Sequence, residues 1–193
     1  MVKKIRFSWQ ISLILIVGLS LPPARHFLEA DMRMHMLVQF PLLIIAGVWI
    51  GLLLPNYLKI KLSPYNRYGI TGLLIASSVT SFWMIPLALD EVLVLPSLEI
   101  AKFISLLVAG VALAISWRAA GFLIQGFFLA NVLPMMTVVG WLYLAAPLRL
   151  CNAYLSSQQE STGLALVYLS ILAIIVWLMS FFVQGQKTDA VEL

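Results

Sequence analysis

The densest group of residues able to do chemistry is Asp31-Met32-Arg33-Met34-His35-Met36. Thioether and imidazole donors suit copper, and thioethers favour the reduced ion. If this stretch is helical, Met32, His35, Met36 and Gln39 share one face through three- and four-residue spacing, while Met34 points elsewhere. His26 lies one short loop upstream and could fold back toward them. Cys151, farther along the chain, could be a further ligand, so the residue types offer Met32, His35, Met36 and Cys151 as metal donors. A plainer reading stays open beside it. Methionine fills irregular gaps in apolar helices, and a buried cysteine behaves as a small hydrophobe.

Acidic and amide side chains recur in the connections that would lie on the same side. They are Asp90, Glu91 and Glu99 before the middle of the chain, and Gln158, Gln159 and Glu160 toward its end. Glu99 falls where an acid complements the start of a helix, and its three-residue spacing to Lys102 suits an ion pair. The rest read equally well as solvated loops. No GxSxG, P-loop, HExxH or glycine-rich dinucleotide loop occurs, so no soluble-enzyme chemistry is expected. With two histidines nine positions apart, a bis-histidine haem on one helix is strained.

The elements that must position these residues follow from composition. Of 193 residues, 62% are hydrophobic and 10% are charged, with a mean hydropathy of +1.02. Soluble domains carry about 25% charged residues, so the chain is expected to be an all-α, polytopic transmembrane helix bundle forming one domain over 1–193. Apolar runs long enough to cross about 30 Å of hydrocarbon are read at 7–23, 33–54, 69–89, 100–117, 120–146 and 162–184. The first has a basic start resembling a signal peptide. However, Leu21-Pro22-Pro23-Ala24-Arg25 lacks a small-x-small cleavage site, so a retained anchor is expected.

The net charge of +4 does not gather into a nucleic-acid stripe. It sits in short connections, as topology signals do. Placing the N-terminus inside puts Lys3, Lys4, Arg6, Lys59, Lys61, Arg67, Arg118 and Lys187 inside, and leaves Arg25, Arg33, Lys102 and Arg149 outside. The positive-inside rule selects that orientation, with both termini cytoplasmic. The single cysteine excludes an intramolecular disulfide. No ionisable residue falls at an expected bilayer centre, which disfavours an ion channel or proton pump.

Three segments together resemble the multi-spanning CtaG family, associated with assembly of caa-type cytochrome c oxidase. Leu21-Pro22 leading to His35-Met36-Leu37-Val38-Gln39 is similar to the family's histidine-methionine pair with a second histidine four residues on. Phe82-Trp83-Met84-Ile85-Pro86, then Asp90, then Leu98-Glu99-Ile100-Ala101-Lys102-Phe103, resembles its Trp-His-x-Pro segment followed by an acid and a Leu-Glu-His-type helix start. Gln158-Gln159-Glu160-Ser161-Thr162-Gly163 resembles its Asp-Gln-Gln-x-x-Gly entry to the last helix. The order and spacing agree over roughly 20–180.

The resemblance implies a non-enzymatic accessory protein of the bacterial inner membrane. It would handle copper, or aid its insertion, at the periplasmic face, through His35, Met32 and Met36, with Met84 (in the place of the Trp-His-x-Pro histidine) and Cys151 as helpers. The expected partners are lipid and other membrane subunits, such as those of an oxidase, with no nucleic acid. The departures point to a second reading. Gln39, Met84 and Lys102 stand where the family pattern has histidines, and Ser157 replaces its aspartate. Lys102 is ordinarily a cation that repels metal. A metal-free structural subunit of an oxidase or membrane monooxygenase is therefore the alternative.

Overall fold

The computed structural model describes residues 2–189, with side chains placed at Gln10 and from Ser12 to Ser180. No strand forms among the described residues. The chain is a bundle of helices: α1 (Val2–Ser20), α2 (Pro22–Glu29), a π-helical turn (Met34–Gln39) running into α3 (Phe40–Leu53), α4 (Asn56–Leu62), a 3-10 stretch (Ser63–Gly69), α5 (Ile70–Trp83), α6 (Pro86–Val94), α7 (Pro96–Ser116), α8 (Phe122–Ala145) and α9 (Ser156–Asp189).

Proline sets most of the boundaries. It fixes its own φ, donates no backbone hydrogen bond, and pushes the preceding residue toward extended backbone. Leu21, Ile85 and Leu95 are accordingly extended, each followed by a proline that opens a helix. Pro41 acts differently because it lies inside a continuous run. Just ahead of it the helix widens, and the Phe40 amide bonds to the His35 carbonyl instead of the usual partner four back. A turn holding more than four residues stacks His35 and Gln39 nearly over one another on the inner side.

Among the described residues four helices are long and apolar enough to cross a membrane: Met34–Leu53, Pro96–Ser116, Phe122–Ala145 and Ser156–Ser180. The expected span at 69–89 is not one straight helix. It breaks at Met84-Ile85, and α6 leaves the preceding helical run at 76°. Counting that bent pair, up to five spans meet the length and composition test. The described part of α1 ends at Ser20, short of the expected boundary at 23.

Small residues allow the closest helix crossings. A Cβ on Gly47 would meet the Leu107 carbonyl, and one on Gly110 would meet the Ile44 carbonyl, so α3 and α7 touch backbone to backbone. In α8 and α9, Gly140 and Gly163 face one another, and a Cβ on Gly163 would lie 2.6 Å from the Gly140 carbonyl. Thr137 and Ser170 add a hydroxyl pair at 2.8 Å across the same seam. Such small-residue seams are how helices associate where lipid removes the ordinary hydrophobic drive.

Candidate functional site: a buried lysine cluster

The side chains that converge belong to α2, the π turn, α7 and the α8–α9 connection. Lys102, in the second turn of α7, is fully buried, as are His35 and Gln39. Its Nζ donates to Glu29 Oε1 at 2.7 Å, to His35 Nε2 at 3.1 Å and to Gln39 Oε1 at 3.1 Å. An ammonium has three protons and no lone pair, so all three protons are used. That count also assigns the imidazole. Lys102 only donates, hence Nε2 accepts and Nδ1 carries the ring proton.

The Nδ1 proton points to the Tyr154 hydroxyl at 2.6 Å, and Tyr154 donates in turn to the Glu29 carbonyl at 3.2 Å. Burial raises the Tyr154 phenol above its ordinary range, so it stays a neutral donor. The chain of hydrogen bonds therefore ends on a backbone carbonyl, which cannot pass a proton onward. Phe40 closes the remaining side of the imidazole, edge-on at 5.0 Å between ring centres.

The charge balance extends outward along α2. Arg25 Nη1 lies 2.7 Å from Glu99 Oε2, and its Nε lies 3.7 Å from Glu29 Oε2. Lys102, Glu29, Arg25 and Glu99 thus alternate in sign and sum to zero. This corrects the expected pairing, since Lys102 is neutralised by Glu29 and not by Glu99 or Asp90. Asp90 instead accepts the backbone amides of Asn152 at 2.6 Å and Ala153 at 3.1 Å. Gln159 accepts the Leu150 amide and donates to the Cys151 and Tyr154 carbonyls. These residues clasp the α8–α9 connection and do not form a solvated loop.

The sulfur residues are brought into the same core without joining this network. Met32, Met36, Met84 and Cys151 are all buried in one apolar cluster that also contains Trp83, Tyr143 and Tyr154. The Cys151 thiol donates weakly to the Pro86 carbonyl at 3.6 Å. Burial, with Asp90 adding to it, pushes this thiol up to about 11, so it is a thiol and not the thiolate that binds metal. His26 is exposed and does not fold back. Asp31 and Arg33 pair with each other at 2.6 Å on the exposed rim, and that bond holds the Asp31 carboxyl below its ordinary range.

Among the described residues no group of three or more His, Cys, Asp or Glu side chains could hold a metal ion. Methionine is not among those four types, so the sulfur atoms of Met32, Met36 and Met84 stand outside that statement. His35 has one ring nitrogen bonded to an ammonium and the other to a phenol, so ligation requires breaking one of those bonds. Residue types gave no signal for Tyr154, which lies 119 positions from His35. The signal for Glu29 was its four-residue spacing to Arg25 on a short helix. No family model, curated protein or solved structure matches the chain.

Proposed function

We propose that the protein is a metal-independent accessory or assembly subunit of a larger membrane complex. The observation that carries this reading is the Lys102 ammonium enclosed by Glu29, His35 and Gln39. In the resembled family, positions 35, 39 and 102 would all be histidines. Here their side chains meet at one point, and a covalently attached cation supplies the positive charge at that point. A tethered ammonium holds α2, the π turn and α7 together with no ion to acquire or release. Copper handling, the other reading drawn from the resemblance, would instead need His35 freed from Lys102 and Tyr154.

On this reading the spans number six, counting α1 and treating α5–α6 as one bent crossing. Both termini lie on the cytoplasmic side of a bacterial inner membrane, and the lysine cluster lies near the periplasmic face. The resemblance makes a copper- and haem-containing oxidase, or a membrane monooxygenase, the class of partner.

The test is deletion of the gene in its own host, followed by native gel analysis of membrane complexes with and without excess copper in the medium. The expected outcome is a loss of the assembled complex that persists in copper. Restoration by copper would return the protein to metal handling, and an unchanged set of complexes would remove the assembly role.

A further inference from the structure

The end of the bundle opposite the lysine cluster carries a second constellation that the assembly reading does not use. Lys102 and Ser116 lie fourteen residues apart on α7, a rise of about 21 Å at 1.5 Å per residue. Just beyond Ser116, Arg118 is exposed. Together with Lys59 of α4 and with Ser63 and Asn66 of the 3-10 stretch, it lines a cavity of about 260 Å³. Lys59 reaches the Leu52 carbonyl at 3.0 Å, which holds its ammonium at the helix end beside this cavity. Among the described residues neither Lys59 nor Arg118 has a carboxylate partner.

A second cavity, of about 390 Å³, continues from the first between α3, α7 and α8. It shares Leu52, Ala114 and Arg118 with the basic cavity and is otherwise walled by apolar groups, including Val48, Leu113, Phe128 and Leu129. A pocket with two cations therefore opens into an apolar trough that runs along the spans. Tyr57, Tyr65 and Tyr68, on the same two elements that supply Lys59, Ser63 and Asn66, are exposed, as side chains at a membrane–water boundary commonly are.

We infer that this is a binding site for one anionic phospholipid, with its headgroup phosphate between Lys59 and Arg118 and an acyl chain in the trough. The two features are needed together. A free anion would use the cations but not the trough, and a neutral lipid would use the trough but not the cations. Basic pockets between spans are suited to anionic headgroups, because each nearby Lys or Arg adds attraction in a medium where the charge is weakly screened.

The experiment uses the full chain, delipidated in a neutral detergent. Retained lipids are counted by native mass spectrometry after incubation with mixed micelles of phosphatidylglycerol or phosphatidylcholine. One phosphatidylglycerol should be retained per chain in preference to phosphatidylcholine. Arg118→Gln removes one charge from a side chain with no ion-pair partner among the described residues, and should weaken retention about fivefold. Arg67→Gln, where the guanidinium lies over the Tyr68 ring outside the cavity, should leave retention unchanged. Leu129→Trp, which fills the trough, should weaken retention with both cations intact. Equal retention of the two lipids, an equal loss from Arg67→Gln, or displacement by millimolar inorganic phosphate would each overturn the assignment.

Discussion

At the scale of single residues, the lysine cluster poses a question of cost. Removing an ammonium from water is expensive, and the attraction to a carboxylate offsets that cost only when the remaining protons also find acceptors. Lys102 meets this condition, because Glu29, His35 and Gln39 take its three protons. Cutting it to methionine leaves the Glu29 carboxylate with Arg25, whose Nε is 3.7 Å away, as its remaining ion-pair partner. Breaking one side of such a pair costs about 3–5 kcal/mol. Lys102→Met should therefore lower the thermal midpoint in detergent strongly, and Glu29→Gln should also lower it. The double variant should be no worse than the poorer single variant, since it leaves neither charge stranded. Strictly additive losses would mean that the two charges are not coupled. His35, Met36 and Lys102 could be singled out by residue type, but the partner of Lys102 could not. It lies 73 positions away, and a nearer acid at three-residue spacing offered a local solution that Arg25 takes instead.

At the scale of elements, proline and glycine carry most of the information. Extended Ile85 before Pro86 turns an expected straight span into a bent pair. The residue types were visible, but whether a proline kinks a helix or ends it is decided by what surrounds the freed carbonyls. The π turn at Met34–Gln39 lies just ahead of Pro41, and the residue types alone do not say that the helix widens there. The long runs of α7, α8 and α9 were legible because each keeps a high mean hydropathy over 18 residues with at most two charged side chains. The α3–α7 seam gives the prediction at this scale. A methyl group at Gly110 collides with the Ile44 carbonyl and the Val48 amide nitrogen, which are backbone and cannot rotate aside. Gly110→Ala should therefore destabilise by about 1–3 kcal/mol, as overpacking does. Gly18→Ala is the matched control. No heavy atom lies within 4 Å of its added carbon, and alanine favours helix, so thermal unfolding should be unchanged or slightly later. Equal losses at both positions would remove the close crossing as the cause.

At the scale of the whole molecule, the α8–α9 connection is clasped to the remaining helices at the lysine-cluster end. Tyr154 binds His35 and the Glu29 carbonyl, and Asp90 accepts the Asn152 and Ala153 amides. Deeper in the spans Ser77 and Asn131 form a hydrogen bond at 2.9 Å, with an apolar cavity of about 350 Å³ beside it between α5 and α8, and at the far end Gln125 donates to the Trp117 and Ala120 carbonyls. The hairpin is thus tied at both ends with the apolar cavity between them, and the Asp90 clasp should control opening at the α8–α9 connection. A hydrogen bond to a charged acceptor contributes about 1.5–3 kcal/mol, and each 1.4 kcal/mol is tenfold in an equilibrium constant. Asp90→Ala removes two such bonds without touching the lysine network or the α3–α7 seam. Amide exchange at Asn152 and Ala153 should rise by at least about tenfold, with a smaller rise through the start of α9, while the amides of α3 and α7 keep their wild-type rates. A uniform rise across α3 and α7 would mean that the bundle opens as one unit and that the clasp has no separate role.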